Sequence, residues 1–456
     1  MTSELLQSIA AELALFACVG FLLFALDDLL VDLLYFARRG WRALTVYRRH
    51  SRSDTRTLPM PFRPGWLVVF IPAWDEAAVI GPMLRATLER LDHPDYSLLV
   101  GYYRNDPATA AAIAAVEDPR VVPVRVEADG PTTKADCLNR LYGALVRLET
   151  TQGRRAKAVV LHDAEDLVHP AELSVFDSLI ERAGVIQLPV VPLPDPGGSW
   201  VAGHYCDEFA ESHGKDLVVR EALGASIPLA GVGCAIDRSA LTRLAAAGDG
   251  KPFGGGSMTE DYETGLRLGA LGERGLFVRL PEVAGRPGAV ASRGYFPATL
   301  DAAVRQKARW IGGIAFAGWD RLGWGAGWGE RWFRLRDRRG PLSALLLLAG
   351  YLSMLLWAQL GIAQSLGAPP PAPLSPTLAL LLKINVVLLA WRLLMRAGFT
   401  ASVYGWREGL KALPRTLVAN LIAVLAAARA FRLHLAGGPR QWEKTAHVFP
   451  AEGARR

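Results

Sequence analysis

Val159-Val160-Leu161-His162-Asp163-Ala164-Glu165-Asp166 is a short β-branched, apolar run that passes without a spacer into three carboxylates. A run of that length reads as a strand buried on both faces, as in a sheet covered by helices. Acids just past its carboxyl end lie where open α/β sheets bind ligands. Asp163 and Glu165 are two residues apart, so they share one face of an extended segment and can converge on one ion, while Asp166 points elsewhere. A divalent cation held by two carboxylates neutralises a departing diphosphate as a Lewis acid, and Mg²⁺ or Mn²⁺ suits such oxygen ligands. A helix cap with solvated acids is the plainer reading of the same letters.

Outward from this point, residues 62–297 alternate short strands (67–71, 98–102, 121–126, 158–161, 185–188) with helical stretches, which predicts an α/β domain. The first strand runs into Ala73-Trp74-Asp75-Glu76, again placing acids at a carboxyl edge, though acids opening a helix would read the same. The second runs into Arg104-Asn105-Asp106-Pro107, where an Asn/Asp turn and helix cap is the commoner meaning. Lys134 opens a helix after the Gly130-Pro131 turn and is placed either to meet phosphate or to be solvated. Thr259-Glu260-Asp261 follows three glycines and opens another helix. One of its two acids can serve as general base toward an acceptor hydroxyl, or both can simply compensate the helix dipole. Ala230-Gly231-Val232-Gly233 reads as backbone open to close approach.

Gln306, Arg309 and Trp310 fall on one face of a predicted helix, offering an amide, a guanidinium suited to a diphosphate, and an indole suited to a sugar face. An amphipathic interface helix with an aromatic anchor is the alternative.

The hydrophobic fraction is 51% and the mean hydropathy is positive, which predicts a membrane component. Residues 5–36 are long enough to cross a bilayer core of about 30 Å and are read as an uncleaved anchor within residues 1–40. The basic run 38–56 that follows puts the N-terminus outside and the catalytic domain in the cytoplasm. Residues 298–340 are expected to be interfacial helices, and 341–398 a transmembrane hairpin with a Pro-rich loop at 368–376. In 399–456 the apolar stretch 417–428, between Arg415 and Arg429, predicts an interfacial or partly inserted helix and a cytoplasmic tail. The net charge of +7 is concentrated beside the hydrophobic segments, a pattern for lipid headgroups and not for nucleic acid. Four scattered cysteines form no CxxC pair and fit a reducing compartment. Asp27, Asp28 and Asp32 sit in the anchor; they are expected to face partner helices or a glycan path, with Lys383 as partner, or to be wet at headgroup level.

In this order the motifs resemble the processive membrane glycosyltransferases of the cellulose synthase and hyaluronan synthase type, glycosyltransferase family 2. Tyr205 to Glu211, His213, Lys215-Asp216 and Trp442-Glu443-Lys444-Thr445-Ala446-His447-Val448-Phe449-Pro450 are similar to the branch of that family named for bacteriophage-adsorption protein B. The resemblance covers nearly the whole chain. It implies a GT-A fold, a mixed, mostly parallel, Rossmann-like α/β domain set between transmembrane helices. It implies donor contacts at Ala73, Asp75, Glu76, Asp106, Lys134, Asp163, Gln306, Arg309 and Trp310, metal at Asp163 and Glu165, and Asp261 as base beside Glu260 and Arg309. It further implies a nucleotide-sugar donor, a UDP-sugar first, a glycan or lipid acceptor, membrane lipids and an export partner in the envelope as partners, and a multi-pass bacterial inner-membrane location. Two motifs depart from the family: Asp-Ala-Glu stands for Asp-x-Asp, and Asn105-Asp106-Pro107 for Asp-Asp-Gly. Longer members of the branch continue into a cytoplasmic domain that binds cyclic di-GMP, and for this chain such control is expected from elsewhere. Single addition onto a lipid and an inactive receptor or scaffold are the competing functional readings.

Overall fold

The computed structural model describes residues 2–286, 288–437 and 447–450. Residues 442–446 of the branch motif lie outside these.

The strands are β1 (Leu67–Pro72), β2 (Tyr96–Tyr103), β3 (Val121–Val126), β4 (Ala158–Leu161), β5 (Val185–Gln187), β6 (Val190–Pro192), β7 (Cys234–Asp237), β8 (Gly275–Phe277) and β9 (Ser292–Gly294). Seven form one sheet in the order β3-β2-β1-β4-β7-β5-β8, and β6 pairs with β9. The pairs among β3, β2, β1 and β4 are parallel, whereas β7 runs antiparallel to both β4 and β5. The sheet is therefore mixed and mostly parallel, as expected. Every residue of β1 is buried because each face of the sheet meets helices. Leu67, Val69 and Ile71 pack into one apolar cluster with Met83, Leu84 and Phe176, while Val68 and Phe70 pack into another with Leu138, Leu141 and Leu241. Strands β6, β8 and β9 are missing from the sequence reading, and so is the antiparallel β7. Its entry loop, 230–233, arrives at the edge where β1, β2 and β4 end.

The helices of this domain are α1 (Thr2–Thr45), which precedes it, α2 (Ile80–Arg90), α3 (Pro107–Ala114), α4 (Lys134–Gln152), α5 (Glu172–Leu179), α6 (Trp200–Glu211), α7 (Leu217–Ala222), α8 (Arg238–Ala246) and α9 (Glu260–Ala270). A π-helical turn, Ser212–Asp216, links α6 to α7. Then follow α10 (Leu300–Ile311), a second π-helical turn (Gly312–Ala317), α11 (Gly318–Leu322) and α12 (Trp328–Arg338). The chain continues into α13 (Gly340–Ser365), α14 (Pro376–Tyr404) and α15 (Trp406–Ala436).

Among the described residues α1, α13, α14 and α15 are long and apolar enough to cross a membrane. The stretch 417–428 thus belongs to a helix of 31 residues, longer than the apolar run alone suggested. Arg415, which bounds that run, is buried, because Asp207 of α6 and Glu408 accept its guanidinium at 2.7 and 2.8 Å. Both halves of α15 lie against α6 and α10: Arg415 pairs with Asp207, Ile422 packs with Tyr205 and Ala303, and Ala426 and Ala430 pack with Ala308 of α10.

The anchor acids face inward, but not toward Lys383, which is exposed. Asp27 accepts from Trp332 Nε1 at 2.6 Å and from Arg339 at 2.7 Å, and Asp28 accepts from Arg339 at 2.5 Å and Arg336 at 3.0 Å. Asp32 lies between Lys215 Nζ (2.5 Å) and Trp391 Nε1 (2.8 Å). Cations from the basic segment and the sheet domain take the place expected for Lys383.

Candidate active site

Each acid reaches the site through a local feature. After β1 the chain is held by the Ala73 N–H bond to Gly101 O (2.8 Å), and it turns at Asp75, whose φ is +54°. Asp106 caps α3 through Thr109 N–H and also accepts from Asp75 N–H at 2.6 Å. Its carboxylate therefore shapes the 73–76 loop, the capping role that the plainer reading gave it. Glu76, fixed by a 2.9 Å bond from its N–H to Thr109 Oγ1, is the acid of this loop that lines the cavity.

That cavity has a volume of about 760 Å³. It gathers Glu76, Lys134, Asp163, Glu165, Glu260, Asp261, Gln306, Arg309 and Trp310 on one wall or another. Ala73, Asp75 and Asp106 do not line it: Ala73 and Asp106 are buried and Asp75 is exposed. Lys134, at the start of α4 behind the Thr133–Asp136 capping box, is ion-paired with Asp163 and lies 3.8 Å from Glu260. Burial alone would discharge this ammonium, but Asp163, Glu260 and Asp261 together hold its pKa above the usual lysine range.

Asp163 and Glu165 line the same cavity with different partners. Glu165 Oε2 lies 3.3 Å from His447 Nδ1, whose hydrogen bond goes to Glu76 Oε1 at 2.8 Å. Glu165 Oε2 is thus buried without a hydrogen-bond partner among the described residues. Burial raises the Glu165 carboxyl to about 8, with His447 opposing and Asp163, Asp166 and Glu76 adding to the rise. One ligand atom each from Glu76, Glu165 and His447 lies within 4.8 Å of the others. Two carboxylates and an imidazole form a donor set for Mn²⁺ or a similar divalent ion. His447 was quoted from the sequence only as part of a branch motif. It stands 371 positions from Glu76, and no local spacing connects the two.

Asp166 turns away, as its odd position in the motif predicts. Its Oδ2 accepts from His162 Nδ1 and from Asp163 N–H, both at 2.9 Å, and His162 Nε2 reaches Glu172 at 2.5 Å. This buried imidazole between two acids pins the loop that carries Asp163 and Glu165.

Asp261 faces the β7 entry loop, where Gly231 has a φ of +78° and a Cβ would come 2.7 Å from Asp261 Oδ2. Burial, then the neighbouring Glu260, raises the Asp261 carboxyl to about 7, against Lys134. Elsewhere in the lining, Gln306 Oε1 and Arg309 Nε are buried with no partner among the described residues. Unpaired polar atoms of this kind are costly unless a ligand answers them.

A family model described as glycosyltransferase like family 2 matches residues 64–313. The chain is 37% identical to bacteriophage adsorption protein B of Escherichia coli K12 over 473 residues, covering 98% of this chain. Bacteriophage N4 adsorption protein B of Escherichia coli O157:H7 matches to the same extent. The chain spans 62% of the length of these relatives. In fold it is similar to a mannosyltransferase from Pyrobaculum calidifontis solved in complex with GDP-Man and Mn²⁺. That likeness has a TM-score of 0.52 at 17% identity and covers 93% of this chain and 99% of that one.

Proposed function

Because this chain belongs to the family 2 glycosyltransferases, we propose that it moves a sugar from a nucleotide-sugar, a UDP-sugar first, onto a growing surface glycan with inversion at the anomeric carbon. The observation that carries this reading is the set of polar atoms without hydrogen-bond partners among the described residues, Glu165 Oε2, Gln306 Oε1 and Arg309 Nε, on the walls of one acid-lined cavity.

Asp261 takes the proton of the acceptor hydroxyl, and Glu260 beside it keeps its carboxyl in the range where it can do so near neutral pH. Arg309 and Lys134 bring positive charge to the donor diphosphate, Gln306 supplies an amide, and Trp310 offers an indole face to the sugar. Glu165, Glu76 and His447 would hold the divalent cation, with Asp163 beside them, currently paired with Lys134. When bound, such a cation neutralises the charge that develops on a departing nucleoside diphosphate.

The catalytic domain lies on the cytoplasmic side of a bacterial inner membrane. In that setting α15, whose two halves both touch the domain, runs along the membrane surface. A second reading, single addition onto a lipid acceptor, is favoured by one observation: the cavity wall continues into Ala430 and Leu433 of α15, at the level of the bilayer in this arrangement.

The test is a donor panel on purified membranes, with UDP-hexoses, UDP-N-acetylhexosamines and GDP-mannose, each with and without Mn²⁺. Metal-dependent incorporation from one donor, absent in Asp261→Asn, is expected. Failure of every sugar nucleotide to be turned over would overturn the proposal in favour of a scaffold. Counting sugars per acceptor separates the polymer reading from single addition.

A further inference from the structure

Helix α6, the core of the branch-like motif, sends an acid to a different neighbour at almost every turn. Asp207 Oδ1 accepts from Arg415 of α15 at 2.7 Å. Glu211 Oε1 accepts from Arg392 of α14 at 2.7 Å and from Lys215 at 2.9 Å, and Lys215 continues to Asp32 of α1. Between them, Glu208 is ion-paired with Lys307 of α10.

This last contact reaches the cavity. Lys307 sits between Gln306 and Arg309 in sequence and one helical turn before Trp310. Its ammonium is held from three sides: by Glu208, by the Tyr205 ring at 5.3 Å and by the Trp310 ring at 5.9 Å. Tyr205 and Phe209, one turn apart on α6, also meet the Trp310 ring edge-on, with centroids 6.1 and 6.5 Å away. The face of α10 that carries Lys307 is thereby locked to α6, and α6 is itself tied by ion pairs to three long apolar helices. Successive helix positions turn by about 100°, so fixing Lys307 fixes where Gln306 and Arg309 aim. Ala303 and Ala308 of α10 also pack on α15, and the Lys307 pair adds a charged contact to that packing just before the helix runs into the π-helical turn at Gly312–Ala317.

We propose that Glu208 is a positioning residue of the transfer reaction. Through Lys307 it holds the rotation of α10, so that the buried, unpaired Gln306 Oε1 and Arg309 Nε point at the donor. Glu208 does not line the cavity and acts only through this pair. The inference rests on the donor reading of Arg309 given above.

The experiment measures binding of UDP with Mn²⁺, and donor KM and kcat, on the full chain in detergent, with the melting temperature recorded for each variant. Glu208→Gln and Lys307→Met are each expected to weaken UDP binding and lower kcat/KM roughly 10- to 100-fold, the loss that about 1 Å of misplacement brings, with the melting temperature held. Glu208→Asp, which keeps the charge, should retain most of the affinity. The exchanged pair Glu208→Lys with Lys307→Glu should recover it. Arg309→Ala separates the two claims. If Arg309→Ala binds UDP as the wild type does, the donor reading fails. If Arg309→Ala loses UDP while Glu208→Gln and Lys307→Met bind it normally, or if a folded exchanged pair recovers nothing, the positioning role is overturned and the reading of Arg309 stands.

Discussion

His447 Nδ1 lies 2.8 Å from Glu76 Oε1 and 3.3 Å from Glu165 Oε2, so a residue that follows α15 completes a set of potential ligands begun just after the first strand. Mn²⁺ affinity should fall at least about tenfold in His447→Ala and in Glu165→Gln, by loss of a direct ligand from a set of three. Titration of Mn²⁺ by electron paramagnetic resonance reads this directly. Unchanged affinity in both variants would remove the site from this group of residues.

Asp261→Asn should abolish turnover while leaving UDP binding intact. With its carboxyl raised to about 7, Asp261 is protonated and idle below that pH and available as a base above it. The value of kcat/KM should therefore climb as pH rises through about 7. Part of the rise comes from the charge of Glu260, so Glu260→Gln should move the limb to lower pH. A limb that stays in place in that variant would point to another group.

Gly231→Ala probes the same carboxylate from the other side. The substitution adds a Cβ where φ is +78° and brings it 2.7 Å from Asp261 Oδ2. Backbone strain of about 1 kcal/mol is tolerable to the fold, but displacement of the carboxylate is not tolerable to catalysis. A folded protein with turnover reduced at least about tenfold is the expected outcome, and wild-type kinetics would show that Asp261 has room to move.

Lys215 and Asp32 are each about 1% exposed and lie 2.5 Å apart. Removing Lys215 leaves Asp32 with only the Trp391 N–H, at a cost of about 3–5 kcal/mol, whereas removing Asp32 leaves Lys215 on Glu211 and costs less. Asp32→Asn and Lys215→Met should each lower the melting temperature in detergent, and the double variant should lose less than the sum of the two. Additive losses would mean that the two residues do not act as a pair.

His213 gives the stability a pH dependence of definite sign. Val190 N–H donates to its Nδ1 at 2.9 Å, and burial, with Arg279 adding, depresses its pKa to about 3. In the unfolded chain the group titrates at about 6.5, so below that pH only the unfolded state takes up its proton. Stability should therefore drain as pH falls from about 6.5 toward 3. His213→Gln should flatten that part of the profile, as read by thermal melts at stepped pH.

What could be read from the sequence was local. The buried strand that ends on Asp163 and Glu165 announces itself by composition, and Gln306, Arg309 and Trp310 by helical spacing. Strand β7 did not, because four residues behind a glycine-rich loop carry too little pattern and owe their place to pairing with β4 and β5. The partners of Asp27, Asp28 and Asp32 were misplaced for the same reason. Charge in the nearest hydrophobic segment suggested Lys383, whereas tertiary packing brings Arg336, Arg339 and Lys215 to them. His447 and Glu76 meet only once the whole fold has closed.

That closure has an order in time. His447 emerges from the ribosome after α1, α13, α14 and α15, so until those helices have been made there is no imidazole to set beside Glu76 and Glu165. On the function proposed above, nascent chains would then be unable to spend activated sugars until α15 has been made.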